Sequence, residues 1–193
     1  MKRGTDRINT LIIGGARSGK SDFAQGLAAK SGKKVLFVAT AEAGDEEMRQ
    51  RIEKHKQSRP SSWITLETAT NIGKEILEKA GDTELVIVDC ITLLVNNIFS
   101  KFDFQADTEI DDTPVEKEVI LEVNQLIDCF HRLDASFIIV TNEVGMDLVP
   151  ANKIGRLYRD MLGRANQLLA EQVDVVYLMV AGLPVQIKSV NSP

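Results

Sequence analysis

Cysteine and histidine are scarce in this 193-residue sequence, which contains two of each: Cys90 and Cys129, His55 and His131. These four residues are widely separated along the chain, so they do not form a zinc-binding spacing. Cys90 follows an apolar run, and Cys129 lies within a helical pattern. We therefore expect two buried thiols in a reducing compartment rather than a disulfide.

Long apolar segments are also missing. The longest candidate, Leu85–Val95, is interrupted by Asp89 and Thr92 and is shorter than the roughly 18 to 20 residues that a membrane-spanning helix needs. The first nine residues are basic and polar, and no apolar core of a signal peptide follows them. The sequence thus predicts a cytoplasmic protein without a membrane span.

An excess of positive charge is lacking as well. The formal net charge is −5, which argues against a general DNA-binding or RNA-binding protein. With 44% hydrophobic and 26% charged residues, the chain has enough apolar material for a full core. It shows no repeat, linker or low-complexity tract, so we expect one domain over residues 1–193.

Short β-branched runs alternate with helical patterns, which predicts an α/β fold with a mostly parallel sheet and helices on both faces. The predicted strands are Thr10–Ile13, Val35–Ala39, Leu85–Asp89, Ser136–Thr141 and Val173–Val180, and Val185–Lys188 is expected to close an edge hairpin. The predicted helices are Ser21–Lys30, Asp45–Gln57, Val115–His131 and Asn152–Glu171. The acidic segment Ser100–Pro114 is interpreted as a solvated loop, and it lacks the glycine of an EF-hand calcium loop.

A phosphate-binding motif occupies Gly14–Ser21, which reads Gly-Gly-Ala-Arg-Ser-Gly-Lys-Ser and follows the first predicted strand. In such a loop, backbone N–H groups and a helix N-terminus hold a polyphosphate. We expect Lys20 to reach the β- and γ-phosphates, and Ser21 to ligate Mg²⁺ together with Asp89 at the end of a buried strand. An aspartate there can instead cap the following turn. The pattern predicts a P-loop nucleotide-binding protein.

His55 allows two interpretations. In a helix over Asp45–Gln57 it would fall on the apolar stripe, with Lys54, Lys56 and Arg59 close by. On periodicity alone, a core or rim histidine satisfied by backbone groups is the commoner case. The alternative is a nucleophile, because neutral imidazole is abundant near pH 7 and nearby cations attract a polyphosphate. Attack on an α-phosphorus would then expel pyrophosphate.

Several motifs together resemble one enzyme family, the bifunctional adenosylcobinamide kinase/adenosylcobinamide-phosphate guanylyltransferase of cobalamin biosynthesis. The resemblance spans roughly Leu11–Lys188. The P-loop motif alone does not distinguish this family from other P-loop proteins. The segment around His55 and the run Thr-Asn-Glu-Val-Gly-Met are specific to the family. The matching segments are Gly14–Ser21, Val38–Ala41, Asp45–Met48, Arg51–Arg59 with Pro60 and Trp63, Thr141–Met146 and Val149–Pro150.

The resemblance implies a RecA-like P-loop domain in which His55 carries the guanylyl group. It also implies adenosylcobinamide and its phosphate as acceptors, GTP and ATP as nucleotides, Mg²⁺, and a homotrimer with the active site near a subunit boundary. With Lys20 and His55 as catalytic residues, the implied nucleotide contacts are Gly14, Gly15, Ala16, Arg17, Ser18, Gly19, Lys20, Ser21, Ala39, Thr40, Ala41, Lys56, Gln57, Ser58, Arg59, Glu67 and Asp89.

Some residues and two other functions stay open at this point. Asn142 and Glu143 could contact the corrinoid or a metal, or shape the turn before Gly145, and Trp63 could cover the nucleotide or fill the core. The polar residues of the last predicted helix could contact substrate or a neighbouring subunit, or form a solvated face: Arg156, Arg159, Asp160 and Asn166. The rival functions are a P-loop small-molecule kinase without a covalent intermediate and a nucleotide-gated binding module.

Overall fold

Seven strands in the described part of the chain form one sheet. The computed structural model describes residues 7–41, 46–57, 59–104 and 111–190, and between 46 and 57 it describes the side chains of positions 46, 49, 50, 53, 56 and 57. The strands are β1 (Thr10–Gly14), β2 (Val35–Ala39), β3 (Ile64–Glu67), β4 (Leu85–Asp89), β5 (Ser136–Asn142), β6 (Val175–Val180) and β7 (Leu183–Lys188).

The order across the sheet is β3-β2-β4-β5-β1-β6-β7. The first six strands in this order run parallel, and β7 returns antiparallel to β6. The predicted α/β class, the mostly parallel sheet and the C-terminal edge hairpin are therefore confirmed. Five of the predicted strands end within two residues of the observed ones, and the hairpin strand begins two residues earlier than predicted.

The helices are α1 (Lys20–Ser31), α2 (Glu46–Gln57), α3 (Ile72–Lys79), α4 (Ile91–Phe99), α5 (Thr113–Arg132) and α6 (Lys153–Gln172). The four predicted helices are present, with ends displaced by one or two residues. Two short helices, α3 and α4, and the four-residue strand β3 were not predicted. The prediction was also wrong for Thr113 and Pro114, which begin α5 instead of ending a loop.

Alternating strand residues divide the core between the two faces of the sheet. Val86 and Val88 of β4 join the cluster under α3, α4, α5 and α6, whereas Leu85 and Ile87 join the cluster under α1. Both faces of the central strands are thus buried, as expected for parallel strands covered by helices. This arrangement confirms the expected helices on both faces.

The parallel sheet brings five strand ends to one edge. The register pairs Gly14 of β1 with Asn142 of β5, and Ala39 of β2 with both Glu67 of β3 and Asp89 of β4. Loops that follow these ends meet above the same edge, which is where ligands bind in open α/β sheets. The phosphate-binding motif begins there.

Three expectations concern the surface and the cysteines. Both cysteines are free, and Cys129 is buried, but Cys90 is only partly buried. Residues 105–110 of the predicted acidic loop lie outside the described residues, whereas Phe102 and Phe104 pack against the core instead of entering solvent. No helix in the described ranges is long and apolar enough to cross a membrane.

Candidate active site

The phosphate-binding loop between β1 and α1 depends on two glycines. A Cβ at Gly14 would lie 2.6 Å from the backbone oxygen of Met179 on β6, so any side chain there would push two strands apart. Gly19 has φ 89°, a left-handed conformation that glycine adopts without steric cost. The turn of the C-terminal hairpin supports the loop, because the Gly182 N–H donates to the Ser18 carbonyl at 3.1 Å.

Lys20 is the first residue of α1, and only 7% of it is exposed. Its Nζ donates to the Gly15 carbonyl at 2.6 Å and lies 3.4 Å from the Ser18 hydroxyl. These contacts hold the ammonium group against the inside of the loop, where a phosphate on the loop would meet it. The motif predicts that a lysine at this place contacts the phosphates of a bound nucleotide.

A cavity of about 490 Å³ opens beside the loop. Its volume is in the range of small-molecule sites. The cavity brings together most of the predicted nucleotide contacts: Ala16, Arg17, Ser18, Gly19, Lys20, Ser21, Ala39, Ala41, Arg59 and Asp89. Cys90, Thr92, Leu93 and Asn142 also line it. The first three of these were not predicted, although their place directly after the carboxyl end of β4 is a signal that could have identified them.

Thr40 is a predicted nucleotide contact whose side chain faces away from the cavity. It is fully buried, and its hydroxyl donates to the Cys90 carbonyl at 2.7 Å and accepts from the Cys90 N–H at 2.8 Å. The Asn97 amide donates to the Thr40 carbonyl at 2.8 Å. Thr40 therefore ties the ends of β2 and β4 together and positions Asp89, which precedes Cys90 through a cis peptide bond.

Arg59 supplies a half-buried positive charge in the cavity wall. Its guanidinium carbon lies 3.8 Å from the centre of the Phe37 ring, and its Nε and Nη1 are buried without a hydrogen-bond partner in the described residues. Burial lowers the pKa of Arg59, while the carboxylates of Asp89 and Glu67 raise it. Buried donors of this kind require an acceptor, and the planar guanidinium suits phosphate oxygens.

Three other predicted contacts are not among the described residues that line the cavity: Lys56, Gln57 and Glu67. The Lys56 Nζ is 2.6 Å from the Glu67 carboxylate, so these two predicted nucleotide contacts pair with each other. The Gln57 side chain is exposed on α2. Ser58 lies outside the described residues. His55 belongs to α2, directly before Lys56, and its side chain is also outside the described part.

Two hydrogen bonds hold the backbone of Asn142 at the edge of the cavity, and a third holds Asn166, one of its partners. The Asn142 N–H donates to the Thr92 hydroxyl at 2.8 Å, and its carbonyl accepts from the Asn166 amide at 3.0 Å. The Thr141 hydroxyl in turn donates to Asn166 Oδ1 at 2.7 Å. Asn166 is buried, so it acts as a positioning residue and does not belong to a solvated helix face.

The other residues whose roles were undecided from the sequence make contacts within the protein. The Glu143 carboxylate accepts from the Gly145 N–H at 2.5 Å, which favours the turn-shaping role. Arg156 donates to the carbonyls of Pro150 and Ala151 at 3.0 and 2.7 Å, so it fixes the loop before α6. Arg159 lies 3.9 Å from the carboxylate of the neighbouring Asp160. Trp63 stacks on Phe37 at 6.4 Å between ring centres and is partly buried in the core.

Comparison with known proteins identifies relatives over nearly the whole chain. The family described as cobinamide kinase / cobinamide phosphate guanyltransferase matches residues 10–187. The bifunctional adenosylcobalamin biosynthesis protein CobU of Escherichia coli (strain K12) is 39% identical over 181 residues, covering 92% of this chain and 98% of that protein. The protein CobP of Pseudomonas aeruginosa, which has the same description, is 40% identical, covering 94% of this chain and 98% of its own.

A solved structure, that of the RadB recombinase, aligns with a TM-score of 0.46 at 17% identity, covering 89% of this chain and 73% of that one. The two relatives from Escherichia coli and Pseudomonas aeruginosa are more than twice as similar in sequence identity. The family match and the identity of about two residues in five extend across the phosphate-binding loop, the strand ends and α6. The chain therefore belongs to the cobinamide kinase / cobinamide phosphate guanyltransferase family, transferases of cobalamin biosynthesis.

Proposed function

We propose that this chain catalyses two successive transfers: phosphorylation of adenosylcobinamide by ATP or GTP, and transfer of GMP from GTP to adenosylcobinamide phosphate through a guanylylated His55. The observation that carries the proposal is the family match over residues 10–187, combined with one cavity that gathers the phosphate-binding loop, Lys20, Asp89 and Arg59. This combination supports a polyphosphate substrate.

In the first transfer, the hydroxyl oxygen of adenosylcobinamide attacks the γ-phosphorus of the nucleotide. The bond from the γ-phosphorus to the bridging oxygen breaks, the nucleoside diphosphate leaves, and the hydroxyl proton is released. Lys20 and the backbone N–H groups of the loop bind the phosphates and offset the negative charge that develops on them. Positioning and charge stabilisation supply most of the acceleration in reactions of this type.

Mg²⁺ fits the residues present. The Ser21 hydroxyl and the Asp89 carboxylate line the same cavity, and hard oxygen ligands of this type suit Mg²⁺, which also takes phosphate oxygens and water as ligands. The described residues contain no group of three or more histidine, cysteine or carboxylate side chains that would hold a metal by themselves. When bound, the ion would neutralise phosphate charge and orient the transferred group.

In the second transfer, an imidazole nitrogen of His55 attacks the α-phosphorus of GTP, and the bond to the β-phosphate breaks with loss of pyrophosphate. An oxygen of adenosylcobinamide phosphate then attacks the same phosphorus and breaks the phosphorus–nitrogen bond, giving adenosyl-GDP-cobinamide. Two neighbours support this role for His55. Lys56 is adjacent in α2, and Arg59, four residues further on, lines the cavity beside the phosphate-binding loop, which we call the nucleotide cavity.

The test is covalent labelling with GTP that carries ³²P at the α-phosphate. The expected label is stable in base, labile in acid, and absent from His55→Asn. His131→Asn is the matched control, because His131 is the other histidine of the sequence and is exposed at the end of α5. Phosphorylation of adenosylcobinamide should survive in both variants. Equal labelling of His55→Asn and the wild type would refute the proposed intermediate.

The same experiment, run in parallel with GTP that carries ³²P at the γ-phosphate, separates the two rival functions. A P-loop kinase without a covalent intermediate would place label only on small molecules, and only from the γ-phosphate. A nucleotide-gated binding module would release orthophosphate and no pyrophosphate. Release of one pyrophosphate per labelled protein is the expected result.

The resemblance to the family also leads us to propose a homo-oligomer, with a trimer as the expected state. The exposed apolar side chains at the edge of the sheet support an interface between copies. Within the described residues these include Leu183, Val185 and Ile187 of β7, which are 69%, 49% and 59% exposed, together with Val180 and Val190. Exposed apolar patches of this kind commonly mark protein interfaces.

A further inference from the structure

A second cavity, of about 450 Å³, lies between α4, α6 and the chain that follows α4. We call it the aromatic cleft and define it by Asn96, Phe99, Phe104, Asn152, Ile154 and Tyr158. No sequence motif indicated this cleft, and neither of the proposed transfer steps uses it. Resting on the proposed function, we propose that the aromatic cleft binds the corrin ring of the acceptor substrate.

The aromatic cleft adjoins the nucleotide cavity through α4. The first turn of this helix contributes Thr92 and Leu93 to the nucleotide cavity, and the next turns contribute Asn96 and Phe99 to the cleft. With a rise of about 1.5 Å per residue, Leu93 and Asn96 are separated by only about 4.5 Å along the helix axis. The cleft therefore begins within one turn of α4 from the residues that line the nucleotide cavity.

Hydrogen bonds link residues of the two cavities. The Tyr158 hydroxyl, on the cleft side, donates to the Thr92 carbonyl at 2.9 Å. The Thr92 hydroxyl accepts from the Asn142 N–H at 2.8 Å, and Asn142 lines the nucleotide cavity. The loop from Asn142 to Asn152 connects the same two cavities along the other side. Two chain segments thus lead from the phosphate site to the cleft.

The lining of the aromatic cleft suits a corrin ring better than a nucleotide. Phe99 lies 5.3 Å from Tyr158 and 5.6 Å from Phe104 between ring centres, so the rings form a contiguous apolar surface. Asn96 and Asn152 are exposed at its rim. Asn96 offers an amide, and Asn152, whose amide oxygen caps α6 by accepting from the Gly155 N–H, offers its NH₂ group; both can bond the amide side chains around a corrin ring. None of the described lining residues carries a charge, whereas a polyphosphate requires cations.

The test measures acceptor binding separately from nucleotide chemistry. Equilibrium dialysis of adenosylcobinamide, followed by its visible absorbance, is carried out with wild type, Ile154→Ala and Asn96→Asp. We expect both variants to bind at least about tenfold more weakly. Ile154→Ala loses apolar groups from the pocket, which has an effect of that size, and Asn96→Asp replaces an amide donor by a carboxylate that can only accept hydrogen bonds. Gln167→Ala is the control, because Gln167 is exposed on α6 about 20 Å along the helix from Ile154.

Labelling by α-³²P GTP alone requires no acceptor, so it should be unchanged in both variants. Wild-type acceptor affinity in Ile154→Ala and Asn96→Asp would overturn the inference while leaving the proposed function intact. A parallel loss of GTP affinity would also overturn it, because it would assign the cleft to the guanine base. A wild type that neither labels nor phosphorylates the acceptor would instead refute the proposed function, and the inference with it.

Discussion

The guanidinium group of Arg59 lies over the ring of Phe37, 3.8 Å from its centre, in the wall of the nucleotide cavity. Phe37 is fully buried in β2, so its ring has a fixed position. The ring holds one face of the guanidinium by a cation–π contact and directs the N–H groups to the edges. The buried core of the sheet therefore fixes the position of this charged donor, which would be more variable on a flexible surface side chain.

Arg59→Lys is therefore expected to weaken GTP binding although it preserves the charge. Lysine lacks the planar fork of donors and does not stack on Phe37 in the same way. Loss of one hydrogen bond to a charged group costs about 1.5–3 kcal/mol, which corresponds to an affinity about tenfold to a hundredfold lower. Titration calorimetry with a non-hydrolysable GTP analogue measures the change.

Arg49→Lys is the matched control for Arg59→Lys. Arg49 is exposed on α2 and pairs with Glu46 at 2.8 Å, away from the residues that line the cavity. Its replacement should leave the affinity unchanged. If both variants bound the analogue as tightly as wild type, Arg59 would have no part in nucleotide binding.

Two neighbouring glycines of the phosphate-binding loop should respond differently to alanine. A Cβ at Gly14 would lie 2.6 Å from the Met179 backbone oxygen, whereas a Cβ at Gly15 would meet no atom within 4 Å. We expect Gly14→Ala to lose about 1–3 kcal/mol of unfolding free energy through overpacking. Gly15→Ala should remain within about 0.5 kcal/mol of wild type. The check is to compare the thermal unfolding midpoints of the two variants. Equal midpoints would contradict this account.

The parts of the fold and site that were predictable depend on short-range signals. The phosphate-binding loop is a contiguous motif, and Asp89 directly ends an apolar strand, so both could be recognised from neighbouring residues. Helix α4 was missed because Ile91–Phe99 is apolar on nearly all sides and follows β4 without a glycine or proline. A run of this kind resembles a strand or a buried helix equally well.

The contacts that were not predictable join residues far apart in the chain. Asn166 bonds Asn142 across 24 residues, and Thr40 bonds Cys90 across 50. Each depends on the strand register or on the placement of a helix on the sheet, which no local pattern encodes. The same holds for Arg59, whose sequence neighbours are polar but whose side chain lies on Phe37. The charged residues of the site could therefore be predicted from the sequence, whereas the residues that they contact could not.

Buried thiols predict a loss of stability at alkaline pH. Burial raises the pKa of the Cys129 thiol from 9.0 to about 11. Between these pH values the unfolded chain has released this proton and the folded chain has kept it, so rising pH favours unfolding. Stability is thus complete below about pH 9 and declines by up to about 1.4 kcal/mol per pH unit and per group towards pH 11.

Cys129→Ser isolates this contribution, because a hydroxyl can replace the thiol as donor to the Gly73 carbonyl, 3.1 Å away. Urea unfolding of the variant should show a smaller decline between about pH 9 and pH 10.5 than wild type. Some decline should remain, since burial also raises the pKa of Cys90 to about 11. Below pH 8.5 both proteins should show the same dependence on pH, and identical slopes above pH 9 would contradict the assignment to Cys129.

The apolar edge of the sheet leads to a prediction about assembly. Leu183 and Ile187 of β7 are 69% and 59% exposed. If copies of the chain meet along this edge, Leu183→Lys/Ile187→Lys should dissociate the oligomer, because unpaired charges would be buried in the interface. Sedimentation velocity at several concentrations should show a shift from the trimer to the monomer mass. Leu121→Lys, at a 56% exposed position on α5, should retain the wild-type mass. A double variant that remains trimeric would place the interface elsewhere on the surface.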